Sequence, residues 1–475
     1  MKTTGRRSLI LFILAAGFFF GLGIFLYGLV TKGGNWAVQP FNGHVAGTDA
    51  SSGQGRILDR SGTVLAETKN GKRVYNSDYT TRCALLHAVG DTQNFISTGV
   101  QYNYRSELSG YNLITGLVSP MGKSNGSDIH LTLSAPLCRL AREKLDGRDG
   151  AALLYNYKTG ELLCMVSMPD YDPQSPPKDL NTNKTYKGAY LNKGLSSTFT
   201  PGSIFKIITS AAAIENISNL DSRTWNCNGS ITINGNKITD VESYGTLSFK
   251  SALAKSSNVA FSQIAIEVGA SKMAKTANRM GFGRSFQLDG IPSGKSSYNV
   301  QSASKNELGW SGVGQYTDLV NPYHYLVLMG AIANGGKPVM PYMVKSITTP
   351  VGIPSKVGSG VPGDELLPAS TASALKKYMR YDVTSEYGDS LFPGLSVCAK
   401  TGTAEVGGGK NPNCWMAGFS SNDAKPYAFV VLVEDSSDGS VASAGHIASA
   451  LMQAASASRK RPYENSYCPI INFQF

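Results

Sequence analysis

The sequence predicts an α/β chain with a helical anchor at its N-terminus, a small N-terminal domain and one large domain whose sheet joins the two ends of its own segment. Three observations predict this. An uncharged stretch rich in Leu, Ile and Phe runs from Ser8 to Val30. Strand-like runs stand at 151–157 and 161–167 and return near the far end at 395–405, 414–419 and 427–434. Helical spacing fills the segments between, at 203–216, 248–268 and 368–380. Strands at both ends with helices between them make one layered domain.

Residues 1–7 carry Lys2, Arg6 and Arg7 and read as a cytoplasmic tail, because positive residues stay inside. The run at 8–30 is just long enough to cross hydrocarbon, which takes about 20 residues. It is too long for the apolar region of a cleaved signal peptide, about 7–15 residues, and a small-x-small cleavage site does not fit it well either. An uncleaved transmembrane anchor is expected, with everything after Val30 outside the cytoplasm. Residues 31–54, rich in Gly, Ser and Asn, read as a linker. Gly55-Arg-Ile-Leu-Asp-Arg-Ser-Gly-Thr-Val-Leu-Ala66 reads as strand, turn and strand, and opens a small irregular domain at 55–127. In the large domain, 128–458, Ile129 to Leu133 alternates like a strand and Pro136 to Leu145 has helical spacing. The runs on either side of Lys158-Thr159-Gly160 form a hairpin. Residues 459–475, starting Arg459-Lys-Arg461, read as a solvated tail.

Composition narrows the function classes. The chain has 475 residues, 41% of them hydrophobic, and a formal net charge of +11. That length supports a sizeable core, and 52 glycines without a period exclude a collagen-like chain. The positive charge suits an anionic neighbour (lipid headgroups, a cell-wall polymer) or simply a basic surface. No basic patch is interleaved with aromatics, so nucleic-acid binding is not expected. Seven cysteines (83, 138, 164, 227, 398, 414 and 468) show no Cys-x-x-Cys pair or His cluster, and no metal is expected. Cys138, Cys164, Cys398 and Cys414 lie in apolar runs, where cysteine acts as a small hydrophobe.

Ser-x-x-Lys occurs at Ser175/Lys178, Ser203/Lys206, Ser302/Lys305 and Ser373/Lys376. Pro176-Pro177 blocks a helix at the first, Ser302 sits in a polar loop, and Ser373 lies on an amphipathic helix with a solvated lysine face. Only Ser203 has Pro-Gly before it and a long apolar helix after it. In the first turn of a helix its hydroxyl is exposed and Lys206 returns to the same face. Burial or a second cation has to lower the lysine pKa from about 10.4 before it can serve as a base. Two further segments supply partners: Ser256-Ser-Asn258 at a break between helices, and Lys400-Thr-Gly-Thr403 in a strand-like run where glycine permits close backbone approach. Taken singly, each also reads as structure: an N-cap at Thr200 or Ser203, a helix cap, an edge-strand lysine. Their order, with Ser256 lying 53 residues after Ser203 and Lys400 lying 144 after Ser256, is that of β-lactamases and penicillin-binding proteins.

With these motifs the chain resembles the class B penicillin-binding proteins, the monofunctional peptidoglycan transpeptidases, and within them the short PbpA-like subgroup. Gly55-Arg-Ile-Leu-Asp-Arg60, Gly150-Ala-Ala-Leu-Leu154, Tyr171-Asp-Pro173, Leu191-Asn192, Ile332-Ala-Asn-Gly-Gly336 and Lys400-Thr-Gly-Thr-Ala-Glu405 are similar too. Gly314-Gln-Tyr316 and Asn321-Pro322 depart from the family's Gly-Gln-Gly and Thr-Pro. The resemblance implies the α+β type of transpeptidase fold, an antiparallel five-stranded sheet flanked by helices, shared with serine β-lactamases. It implies that Ser203 attacks the penultimate D-Ala carbonyl of a stem peptide with Lys206 as base. Ser256 would relay the proton, Asn258 bind the donor amide, and Lys400 polarise Ser256 and keep Lys206 neutral. Thr401 and Thr403 would hold the donor carboxylate, with Gly402 between them also in the substrate-binding run, and the Ser203 and Thr403 N–H groups would form the oxyanion hole. A second strand's amine would complete the cross-link, and β-lactams would acylate Ser203. No cofactor is implied. The implied partners are stem peptides, the cell membrane and a SEDS-type glycan polymerase of division or elongation. A D,D-carboxypeptidase, a β-lactamase-like penicillin hydrolase or sensor, and a non-catalytic scaffold stay open beside this reading.

Overall fold

A helix of 36 residues, Lys2–Ala37, opens the computed structural model, which describes residues 2–37, 53–110 and 126–457. Its stretch Arg7–Leu29 has a mean hydropathy of 2.7 and is long and apolar enough to cross a membrane. The helix continues past the expected end at Val30. Most of the expected linker, residues 111–125 and the tail at 459–475 with Cys468 lie outside the described residues.

Along the chain, β1 (Ile57–Leu58), β2 (Val64–Lys69) and β3 (Lys72–Tyr75) precede β4 (Asp128–Leu131). The hairpin β5 (Gly150–Asn156) and β6 (Leu162–Met168) is followed by a second, β7 (Thr224–Ile233) and β8 (Asn236–Ser248). After the short β9 (Gln287–Leu288) and β10 (Ile291–Pro292) come β11 (Val344–Thr348) and β12 (Pro354–Val357). The last three are β13 (Val397–Ala404), β14 (Asn413–Ser420) and β15 (Tyr427–Val433).

The central sheet has the order β13-β14-β15-β5-β6 with every neighbouring pair antiparallel. β15 pairs with β5, so the two ends of the segment do meet in one sheet, as the strand-like runs implied. All residues of β14, β15, β5 and β6 are buried. A sheet covered on both faces needs continuous apolar strands rather than alternation, and that is how these runs read. On one face Tyr155 of β5 meets Gly330 of the helix Pro322–Ala333. On the other, Cys164, paired opposite Leu154, reaches the Leu137 carbonyl of the helix Ala135–Leu145. Successive residues of a strand point to opposite faces, so the two helices sandwich the sheet. The six described cysteines are buried and unbridged.

A second sheet has the order β12-β11-β4-β1-β2-β3; the sequence reading gave strands within 55–66 and at 129–133 but not their assembly into one sheet. β1 and β4 pair in parallel and its other neighbours antiparallel. It crosses the division expected at 127/128: strands from 57–75 are completed by 128–131 and by 344–357. Strands of two to six residues bury too little apolar surface to form an independent sheet, and their Ile57, Leu65 and Ala66 join the same hydrophobic core as the central sheet. The β7–β8 hairpin was also not read, although Asn234-Gly235, both with positive φ, is the residue pair that a tight two-residue hairpin turn requires.

The packing between Tyr155 and Gly330 is a sharp test of this arrangement. A methyl group at Gly330 would overlap the Tyr155 hydroxyl, which is itself buried without a hydrogen-bond partner among the described residues. Gly330→Ala should therefore destabilise the protein by about 1–3 kcal/mol through overpacking. Tyr155→Phe should be neutral or stabilising, because it removes an unsatisfied polar group. Thermal denaturation of both variants checks this.

Candidate active site

Ser203 lies in a 3₁₀ turn, Gly202–Phe205, that runs directly into the helix Lys206–Asn216. The sequence reading put Ser203 in the first turn of the α-helix; the α-helix instead begins at Lys206. The tighter turn favours the pair, because side chains three residues apart eclipse in 3₁₀ geometry. Lys206 Nζ is 3.0 Å from Ser203 Oγ. Gly202 holds φ at +54°, its N–H donates to Gly314 O at 2.9 Å, and a Cβ there would strike the Thr403 carbonyl. Only glycine lets β13 come this close to the serine.

The helices Phe249–Ala254 and Asn258–Val268 are separated by Lys255, Ser256 and Ser257. Ser256 is held left-handed at φ +56°, a conformation that costs a serine about 1–3 kcal/mol. The kink turns both its hydroxyl and its carbonyl onto Lys206, at 3.2 and 2.5 Å from Nζ. Asn258 Oδ1 accepts from the same amine at 2.8 Å, while its Nδ2 donates to Thr239 O at 2.9 Å. Asp240, at a bulge of the β7–β8 hairpin, accepts from the Asn258 and Val259 N–H groups and from Ser257 Oγ. It thereby fixes the start of the helix that carries Asn258.

Lys400 on β13 completes the cluster. Its Nζ donates to Ser256 Oγ at 3.1 Å and lies 3.4 Å from Tyr387 Oη. Lys206 and Lys400 are both fully buried. Burial, and then the charge of Lys400, hold the Lys206 pKa well below that of an ordinary lysine, with Asp240 and Asp382 opposing. Asp382, at the end of the helix Ala369–Asp382, is also fully buried, and neither carboxylate oxygen has a hydrogen-bond partner among the described residues. Burial raises its pKa to about 7, against the pull of Lys400 and Lys206.

The structure thus gathers Ser203, Lys206, Ser256, Asn258 and Lys400 into one hydrogen-bonded group, with Thr401, Gly402 and Thr403 continuing along β13 beside it. The other Ser-x-x-Lys pairs stay outside it. Ser175 is in an exposed turn, Ser302 is exposed ahead of a helix that Ser304 caps, and Ser373 is exposed on the helix Ala369–Asp382. Asp240, Asp382, Tyr387 and Ser440, which bonds Thr403 and Gly402, were missed. No local motif marks them; only the hairpin signal at Asn234-Gly235 pointed toward Asp240.

The family described as the penicillin binding protein transpeptidase domain matches residues 150–453. Among curated proteins, the peptidoglycan D,D-transpeptidase PbpA of Mycobacterium tuberculosis is 28% identical over 330 residues, covering 64% of this chain and 66% of that protein. Penicillin-binding protein 3 of Bacillus subtilis is 27% identical over 359 residues, 69% of this chain and 52% of that protein. The alignments thus span from half to just under two thirds of those relatives' own length. Among solved structures, the imipenem acyl-enzyme of penicillin-binding protein A from M. tuberculosis has a TM-score of 0.76 at 23% identity, covering 86% of this chain and all of that one. The D,D-transpeptidase domain from Eggerthella lenta has a TM-score of 0.74 at 24% identity, covering 86% and 99%. These structures share the fold.

Asp382 gives a pH-dependent prediction. Its pKa of about 7 in the folded chain lies above the ordinary aspartate value of about 3.9, so between those values the native state binds the extra proton. Stability from this group is present at low pH and is lost as pH rises through 7. Asp382→Asn should therefore raise Tm more at pH 8 than at pH 5, by about 2 °C or more. Equal shifts at both pH values would contradict the assignment.

Proposed function

The chain belongs to the penicillin-binding-protein transpeptidase family, and from that premise we propose that it is a peptidoglycan D,D-transpeptidase acylated at Ser203. The observation that carries this reading is the set of partners around Lys206. A neutral amine has two N–H donors and one lone pair. Ser256 O and Asn258 Oδ1 can only accept, and at 2.5 and 2.8 Å they take both donors. The lone pair is left to the hydroxyls of Ser203 and Ser256, which is the arrangement a general base for Ser203 needs.

Ser203 Oγ gives its proton to Lys206 as it attacks the penultimate D-Ala carbonyl of a donor stem peptide. The Ser203 and Thr403 N–H groups receive the developing oxyanion; one such donor contributes about 3 kcal/mol. Lys206 returns the proton through Ser256 to the departing D-Ala amine, and Lys400 holds the Ser256 hydroxyl in line. Asn258 binds the donor amide, Thr401 and Thr403 hold its carboxylate, and Gly402 lies between them in the substrate-binding run. An acceptor strand's amine then attacks the acyl-enzyme, the proton steps run in reverse, and the peptide cross-link forms. A β-lactam follows the first half, but the cleaved amide stays tethered, so no leaving group departs. Penicillin-binding protein A of M. tuberculosis forms such acyl-enzymes with imipenem and with penicillin G.

The N-terminal helix suits a single-pass membrane protein, and Lys2, Arg6 and Arg7 support an orientation with residues 1–7 in the cytoplasm and the site on the wall side. A membrane-embedded glycan polymerase of the SEDS type is the proposed partner in division or elongation.

Membranes labelled with a fluorescent penicillin should show this chain as a covalent adduct, and Ser203→Ala should abolish it; a mutant that kept the label would overturn the assignment. The acylation rate should rise with pH as Lys206 loses its proton, and level off below the pH of about 10.4 at which a free lysine titrates. Lys206→Arg cannot become neutral and should lower the rate about 10³-fold.

A further inference from the structure

The helix Ala369–Asp382 ends in a single turn of π-helix, Val383–Tyr387, which touches two of the site's segments. Glu386 pairs with Lys255, the residue before Ser256, at 3.0 Å. Tyr387, half-buried, reaches β13 through three contacts on one phenol oxygen: Thr401 N at 3.1 Å, Lys400 Nζ at 3.4 Å and Thr401 Oγ1 at 2.9 Å. We infer that Tyr387 is a positioning residue for donor recognition, presetting the Thr401 hydroxyl to donate a hydrogen bond to the donor's terminal carboxylate. This inference deepens the proposed transpeptidase reading and rests on it.

The direction of the bonds follows from counting protons. A phenol has one proton and accepts through its oxygen. The Thr401 N–H and the Lys400 amine can only donate to it, so both act on its lone pairs. The single phenol proton is then free for Thr401 Oγ1, which accepts it. Thr401 keeps its own proton, and among the described residues no other group takes it. A carboxylate only accepts, so a hydroxyl preset as donor is what it requires. A chain of donors running from Lys400 through Tyr387 to Thr401 also polarises each link in one direction.

Thr403, two residues on and on the same face of β13, is set the opposite way. Ser440 Oγ gives its one proton to Gly402 O at 2.7 Å. The 2.9 Å contact between Ser440 and Thr403 is therefore Thr403 donating, and that hydroxyl's proton is already engaged. Of the two threonines, Thr401 presents the free proton, and Tyr387 is what holds it so.

The test compares acylation of the purified full chain by benzylpenicillin and by its methyl ester, which lacks the carboxylate charge. The wild type should react faster with the acid. Tyr387→Phe should reduce the acid-to-ester ratio of second-order rate constants about ten-fold, the effect of one hydrogen bond to a charged group. Thr401→Val should reduce it similarly, and adding Tyr387→Phe to Thr401→Val should reduce it little further, since the two act through one bond. An unchanged ratio, a parallel fall in both rates, or full additivity with Thr401→Val would overturn the inference while leaving the transpeptidase reading intact. Failure of the wild type to be acylated at Ser203 would remove both.

Discussion

Two amines buried side by side cannot both remain ordinary ammonium ions. Lys206 and Lys400 have no exposed surface and share Ser256 as a hydrogen-bond partner. Burial and the neighbouring Lys400 charge both work against charge on Lys206. The strain is relieved by lowering the pKa of Lys206, the lysine enclosed by acceptors and beside the serine. The rest of the site accommodates that one requirement.

Its consequences can be followed outward. A neutral Lys206 has to be held by acceptors rather than by a carboxylate, which would restore its charge; a carbonyl and an amide oxygen do this. Aiming a carbonyl there requires Ser256 in a left-handed conformation between two helices, a local cost that the surrounding core offsets. Lys400 has to arrive from a strand rather than from the same helix, and β13 approaches closely enough only because residue 202 is glycine. The buried carboxylate of Asp382, without a hydrogen-bond partner among the described residues, couples to the lysines through the interior, where screening is weak.

The sequence revealed the chemistry more fully than the architecture. Central strands buried on both faces must be continuously apolar, and 151–157, 414–419 and 427–434 read that way. The strands within 55–66 and at 129–133 were legible, but the exposed β12 carries no such pattern and nothing local pairs 57–75 with 344–357, so the second sheet as a whole was not. The α-helical start assumed for Ser203 was displaced to Lys206, because spacing of three residues suits a 3₁₀ turn as well as an α-helix. Tyr387 and Asp382 lie 13 and 18 residues before Lys400, in a stretch whose polar residues read as ordinary helix end and loop.

What the sequence determined by itself was the inventory: one apolar helix long enough for a membrane, five strand-like runs at two ends, and a serine, a serine-asparagine pair and two lysines in a particular order. These are properties of residue type and spacing, which the chain carries before it folds. Which Ser-x-x-Lys pair is enclosed, where the proton of Lys206 can go, and which threonine hydroxyl faces outward were decided only by the tertiary structure. Burial, pKa and hydrogen-bond direction depend on neighbours 14 to 144 residues away along the chain, and those neighbours exist only once the central sheet has closed.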